Sequence, residues 1–379
     1  MNKIRSTKFE IRNKPEIQIF KYVTNMHAIE IKGAARPSAI LVGETIQNLH
    51  CYLPAARTIV ITDGNVRQLY QDRFPPAPVL SIGSGEAFKT LETAKDLFET
   101  LLSLEADRST FILGIGGGIV CDVTGFVAST FMRGLRFGFV ATTLLAQVDA
   151  SVGGKNGVNL EGYKNLVGTF NQPEFVLCDM HLLQTLPEAE VVNGMAEIVK
   201  HALIADVGLF AFLEGHAADA LSLDPRVIER LVRDSVVIKS GVVSRDERET
   251  GERRKLNFGH TFGHALEKVS GLSHGEAVSV GMVLAASLSV RRGRLAAAAH
   301  DRVIRLLRSL RLPCTAPAAV GRVVDAVLKD KKREADRIHF VMLEDIGRAV
   351  VEDISIAELK AAAAAFECIL QPTGRHAVP

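Results

Sequence analysis

Three histidines, His260, His264 and His274, fall close together. The first two are spaced i, i+4 in Asn257-Phe-Gly-His260-Thr-Phe-Gly-His264-Ala-Leu-Glu267. On a helix that spacing puts both imidazoles on one face, as in H-E-x-x-H metal sites, but without the glutamate that serves there as a hydrolytic base. The third histidine opens the next helical pattern, in Ser273-His274-Gly-Glu276-Ala277. Upstream, Ala196-Glu197-Ile-Val-Lys200-His201 has small and apolar flanks, so Glu197 and Lys200 share a buried helical face at i, i+3. Singly, a Glu-x-x-Lys is a surface ion pair and a histidine is a packed core residue. Together they say more, because a buried carboxylate needs a partner. One carboxylate with two imidazoles suits a divalent metal such as zinc, with positions left open for substrate oxygens. The remaining histidine is then free for proton transfer or phosphate contact.

A second set of residues suits phosphate. Phe111-Ile-Leu-Gly114-Ile-Gly116-Gly117-Gly118-Ile-Val-Cys-Asp122 reads as an apolar strand over 109–113 running into a glycine loop and a helix start. Such a loop lets the backbone approach a pyrophosphate at the positive end of a helix. It departs from G-x-G-x-x-G, since Ile119 stands five after Gly114, and a tight turn without ligand would explain it alone. Thr62-Asp63-Gly64-Asn65 follows another strand, where Asp63 could bind a ribose hydroxyl, and Ser84-Gly85-Glu86-Ala-Phe-Lys89 follows a third. Arg133, Lys155, Lys164-Asn165, Lys239, Arg253 and Lys331-Lys332 lie in or beside these motifs and describe an anion pocket for a small phosphorylated carboxylate.

These residues need elements to position them. Up to about Pro187, β-rich runs (58–62, 109–113, 137–142 and 175–178) alternate with helix-compatible segments, the pattern of a parallel sheet with crossover helices. Beyond it, helix-period segments follow at 187–204, 225–245, 255–270, 275–292, 299–310 and 318–330, then a hairpin around Gly347. The expectation is an α/β dinucleotide-binding domain over 1–187, with residues 1–25 peripheral. A mostly helical metal- and substrate-binding domain over 188–370, a tail over 371–379 and a ligand cleft between the domains complete it. Hydrophobic residues make up 47% of the 379 and charged residues 23%, which excludes disordered and fibrous classes. With 45 Lys+Arg against 43 Asp+Glu the formal charge is +2, too small for a nucleic-acid partner. Five scattered cysteines and the absence of an apolar stretch at the N-terminus point to a reducing cytoplasm. The longest apolar stretch, 277–290, is broken by Ser279, Gly281 and Ser287, so no membrane span is expected.

In addition to the runs above, Phe131-Met-Arg133-Gly134, Thr142-Thr143, Gln147-Val-Asp149-Ala-Ser-Val-Gly153-Gly154-Lys155, Gly162-Tyr-Lys164-Asn165, Asp246-Glu-Arg-Glu249 and His274-Gly-Glu-Ala occur in order over roughly residues 55–355. In this series the chain resembles the 3-dehydroquinate synthase family of sugar phosphate cyclases. The resemblance implies a two-domain homodimeric enzyme that binds NAD and a divalent metal, commonly zinc and alternatively cobalt. It also implies conversion of 3-deoxy-D-arabino-heptulosonate 7-phosphate to 3-dehydroquinate and phosphate in the shikimate pathway, by transient oxidation, phosphate elimination, re-reduction and aldol cyclisation. Carried over residue by residue, Glu197, His260 and His274 correspond to metal ligands. Asp63, Asn65, Glu86, Lys89, Gly116, Gly117, Gly118, Asp122, Thr142, Thr143, Asp149, Lys155 and Lys164 correspond to NAD contacts. Arg133, Asp149, Lys155, Asn165, Lys200, Lys239, Arg253, Asn257, His264 and one of Lys331/Lys332 correspond to the substrate pocket. Asn156 and Asn171 depart from the family pattern, in which Thr and then His or Tyr are expected. Rival readings are a cyclase for an amino-analogue or for sedoheptulose 7-phosphate, and a metal-dependent NAD alcohol dehydrogenase. Phosphate release without net NADH separates the last of these from a cyclase.

Overall fold

A computed structural model describes residues 26–31, 37–329, 333–334, 337–363 and 366–370. The leader over 1–25, the tail over 371–379 and the pair Lys331 and Lys332 therefore lie outside the described residues.

The first half of the chain builds a seven-stranded sheet. Its elements are β1 (His27–Ile31), β2 (Ser38–Val42), β3 (Thr58–Asp63), α1 (Gly64–Tyr70), β4 (Val79–Ile82), α2 (Leu91–Ser103), β5 (Phe111–Gly116), α3 (Gly118–Thr130) and β6 (Arg136–Ala141). A two-stranded hairpin, β7 (Lys155–Leu160) and β8 (Tyr163–Phe170), precedes the last strand of the sheet, β9 (Phe175–Cys178). The strand order is β1-β2-β9-β6-β5-β3-β4, parallel except for β1 against β2. Every residue of β5 and β9 is buried, as expected for parallel strands covered on both faces. The chain runs outward from β3 to β4 and, across β5, the other way to β6. Loops after β3 and β5 thus flank the point where the winding reverses, the usual ligand crevice of open parallel sheets.

Beyond β9 come α4 (Glu188–Ala205), α5 (Val207–Leu221), α6 (Pro225–Arg245), α7 (His260–Ser270), α8 (His274–Arg291), α9 (Ala297–Ser309) and α10 (Val320–Lys329). A small antiparallel sheet follows, β10 (Arg333–Glu334), β11 (Arg337–Asp345) and β12 (Arg348–Ser355), then α11 (Ile356–Ala363) and α12 (Glu367–Leu370). Helix α6 reaches back to pack on β1 and on the turn 146–150. The apolar stretch 277–290 is the body of α8, buried in this half; among the described residues no helix is long and apolar enough to cross a membrane. The cysteines at 51, 121, 178 and 314 are free thiols.

Three expectations need correction. The strand expected over 109–113 runs instead from Phe111 to Gly116, so Gly114 and Gly116 are strand residues and the turn is confined to Gly117. Gly114 is a close-packing position: a Cβ there would stand 3.0 Å from the Phe139 ring and 3.1 Å from Thr124 Oγ1. The region around Lys155 and Lys164, in a stretch read as helix-compatible, is a hairpin. Most of β8 is exposed, so the apolar alternation that marks a strand is absent. Its turn is Glu161-Gly162, with φ of +50° and +74°. Helix α5, capped by Asp206 through Gly208 N and Leu209 N, falls in a segment with no element expected.

Candidate active site

The metal-type residues converge. Helices α7 and α8 cross closely because Gly259, at φ +79°, carries no side chain; a Cβ there would lie 2.9 Å from the Val278 carbonyl. His260 begins α7 and His274 begins α8, so the crossing brings both imidazoles to the middle of α4, where Glu197 is fully buried. Oε1 of Glu197 stands 3.5 Å from His260 Nε2 and 3.3 Å from His274 Nε2. For ligand bonds of ~2.1 Å a tetrahedral site has edges of ~3.4 Å, so the three atoms fit a divalent cation with positions to spare. His264, one turn along α7, packs edge-on against His260 with centroids 5.3 Å apart and stays outside the trio.

An alternating chain of charges runs away from this trio. Lys200, on the same face of α4, is ion-paired with Oε2 of Glu197 and lies 3.8 Å from Oδ1 of Asp149. Lys239, from α6, donates to Oδ1 of Asp149 at 2.6 Å. Burial would raise the Glu197 carboxyl, but Lys200 and the histidines hold it far below the usual range. Asp149 is likewise depressed: burial opposes ionisation and the two lysines overcome it. Burial pulls Lys239 down to about 8 against the pull of Asp149. Burial and the neighbouring Lys200 charge keep His260 well below the ordinary imidazole value. His274 is opposite: burial would lower it, but hydrogen bonds to Glu197 and Glu267 raise it to about 9. His201, unassigned from sequence, is fully buried with Nε2 3.6 Å from Asp149 Oδ1.

The nucleotide-type residues gather at the carboxyl edge of the sheet. Asp63, at the end of β3, caps α1: Asn65 N and Val66 N both donate to its Oδ1, and its other oxygen takes no part in the cap. Gly117 and Gly118 leave no space for side chains, with Thr143 Cγ2 at 2.9 Å and Ala150 Cβ at 3.0 Å from the Cβ positions they would have. Thr142, 4% exposed, has a buried Oγ1 without a hydrogen-bond partner. A narrow glycine cradle with an unpaired hydroxyl beside it fits a dinucleotide at the start of α3. Lys89 is paired with Asp122, whose carboxyl burial raises against the lysine's pull, and Glu86 accepts from Asn159 Nδ2 at 2.8 Å. Lys89 and Glu86 thus do not pair with each other.

On the anion side, Lys155 and Asn257 both meet Glu249, which sequence reasoning left without a role. Arg253, 2% exposed, donates to the carbonyls of Gly153 at 2.9 Å and Glu247 at 2.5 Å. Lys164 is bound to Glu267 at 2.6 Å, and Asn165, at φ +51°, is exposed on the hairpin. Arg133 stands apart. It is exposed beyond the far end of α3, whose thirteen residues span ~20 Å from the glycine cradle. Glu249 and Glu267 were legible only as members of motifs, since their partners lie far away in the chain.

Two solved structures share this architecture. A 2-deoxy-scyllo-inosose synthase complexed with carbaglucose-6-phosphate, NAD+ and Co2+ superposes with a TM-score of 0.81 at 28% identity, covering 89% of this chain and 99% of that one. A 2-epi-5-epi-valiolone synthase from Streptomyces hygroscopicus, with NAD+ and Zn2+ bound, gives 0.81 at 29%, covering 88% and 97%. The architecture is therefore the dehydroquinate synthase-like fold, an α/β parallel sheet followed by a helical unit. The families described as 3-dehydroquinate synthase N-terminal and C-terminal match residues 79–193 and 194–333. A 3-dehydroquinate synthase from Halorhodospira halophila is 43% identical over 308 residues, 79% of this chain and 87% of the relative. The chain belongs to the 3-dehydroquinate synthase family.

Proposed function

We propose that this protein is a phosphate-eliminating cyclase that turns 3-deoxy-D-arabino-heptulosonate 7-phosphate into 3-dehydroquinate and phosphate, working as a cytoplasmic homodimer with domains at 1–187 and 188–370. The observation that carries the reading is the placement of Asp149. Its carboxylate joins the chain Glu197–Lys200–Asp149–Lys239, while its neighbour Ala150 packs on Gly118 of the glycine cradle. A chelating trio and a dinucleotide cradle are thereby held on either side of one turn.

Glu197, His260 and His274 would hold zinc or cobalt, and the loops bearing Asp63, Gly117, Gly118 and Thr142 would hold NAD. When bound, the metal acidifies vicinal hydroxyls and the nicotinamide takes up and returns one hydride. This chain's own residues supply the rest. Lys155, Lys200, Lys239, Arg253 and Asn257 bind the carboxylate and phosphate of the substrate, so that one pose survives several steps. His264, which packs on His260 outside the trio, would pass protons to substrate oxygens. The lysine-rich lining separates this reading from a simple alcohol dehydrogenase, which has no phosphate to hold. The buried Arg253 suits a carboxylate, which favours the heptulosonate over sedoheptulose 7-phosphate; the amino-analogue keeps that carboxylate and is told apart only by turnover.

The test is a phosphate-release assay with heptulosonate 7-phosphate, sedoheptulose 7-phosphate and the amino-analogue, each with NAD and zinc. Phosphate release from the heptulosonate with no net NADH supports the reading. Net NADH formation, or preference for sedoheptulose 7-phosphate or the amino-analogue, overturns it.

A further inference from the structure

We propose that Glu267 is a positioning residue, which sets the tautomer and aim of His274 and ties the metal trio to the β7–β8 hairpin through Lys164. The proposal rests on reading Glu197, His260 and His274 as a metal site.

Glu267 lies seven residues after His260, two turns along the same face of α7, with its side chain 5% exposed. One of its oxygens stands 2.5 Å from Nδ1 of His274 and the other accepts from Nζ of Lys164 at 2.6 Å. The opposite ring nitrogen of His274, Nε2, faces Glu197 Oε1 at 3.3 Å. A neutral imidazole offers a lone pair at Nε2 only when its proton is on Nδ1, and a carboxylate at Nδ1 selects that form. His274 is also the first residue of α8, with no preceding helical turn to confine its ring. Glu267 supplies the missing constraint.

Lys164 enters from β8, 103 residues away in sequence, and supplies the positive charge that a nearly buried carboxylate requires. The result is a line of contacts, Lys164–Glu267–His274–Glu197–Lys200, running from the hairpin into α4. Lys164, which the family resemblance allotted to the dinucleotide, acts here as the counter-ion of Glu267.

The experiment titrates metal-free protein with zinc against a chromophoric chelator, for the natural chain, Glu267→Gln and Lys164→Met. Partners of this kind are worth about 10–100-fold in metal affinity. Glu267→Gln is expected to weaken zinc by that factor and Lys164→Met by less. The cobalt-loaded forms give a second readout: the visible absorption of Glu267→Gln shifts in position and intensity because the His274 ring is no longer held. In the zinc-loaded natural protein, nitrogen NMR should show His274 carrying its proton on Nδ1. Unchanged affinity and cobalt spectrum in Glu267→Gln overturn the inference while leaving the metal reading intact. A natural protein that takes up no stoichiometric zinc overturns both. Should Glu267→Gln fail to fold, Lys164→Met alters only a half-exposed side chain, and unchanged zinc affinity there overturns the inference.

Discussion

Nζ of Lys239 donates to both the backbone carbonyl and Oδ1 of Asp149, at 2.6 Å each. A lysine from α6 in the helical half thereby grips the turn that follows β6 in the sheet half, so that stability and pH response both depend on this contact.

Among the described residues, Asp149 is the carboxylate that meets Lys239 and Lys200 together. Asp149→Asn leaves both ammonium groups buried with less compensation, a change that costs about 3–5 kcal/mol when one partner of a buried pair is removed. The midpoint of chemical denaturation should fall accordingly. An unchanged midpoint would show that the two halves do not depend on this contact.

Lys239 titrates at about 8, because burial lowers it and Lys200 adds repulsion that Asp149 only partly offsets. Its charge is present below that pH, so kcat/KM for the anionic substrate should be level there and decline by about tenfold per pH unit above it. In Lys239→Met the alkaline limb disappears and a low, flat profile remains. The stability effect has the opposite sense. Between about 8 and ~10.4 the unfolded lysine holds a proton that the folded one has released, so this group makes the fold more stable as pH rises.

Chelator treatment should abolish phosphate release, and added zinc or cobalt should restore it in the natural protein. A bound metal contributes several kcal/mol of charge stabilisation, which corresponds to about 10³-fold in rate. His260→Ala removes one of the three atoms clustered on Glu197 and should not be rescued by either ion. Activity in metal-free His260→Ala would refute the site.

Asn156 is buried, and its amide donates to the carbonyls of Gly154 at 3.1 Å and Asn171 at 2.9 Å, closing the base of the hairpin beside Lys155. Asn156→Thr restores the residue expected from the family but cannot make both bonds. Leaving a buried carbonyl unpaired costs about 1–3 kcal/mol, so the melting temperature should drop despite the apparent reversion. A gain in stability would contradict the assignment.

Much of the site was legible in the amino-acid sequence. The glycines of 114–118, the i, i+4 histidines and the apolar flanks of Glu197 are local patterns, and each announces burial or close backbone approach by its neighbours along the chain. Glu197 and Lys200 are indeed 0% and 1% exposed. The polar hairpin was not legible, because a strand that leaves most of its side chains in water has no hydrophobic period to read.

What the residues alone determined was the change from an alternating strand-and-helix half to a helical half, and the chemical inventory: chelators, a glycine cradle and an excess of lysines around them. Which charge meets which was settled only by folding. Lys89 took Asp122 instead of Glu86, Lys155 and Asn257 met at Glu249, Lys164 found Glu267, and Arg133 was left at the far end of its helix. Helical and strand periods come from short-range backbone geometry and are written along the chain. Ion pairs carry no period, and their partners are chosen by the packing of segments up to a hundred residues apart.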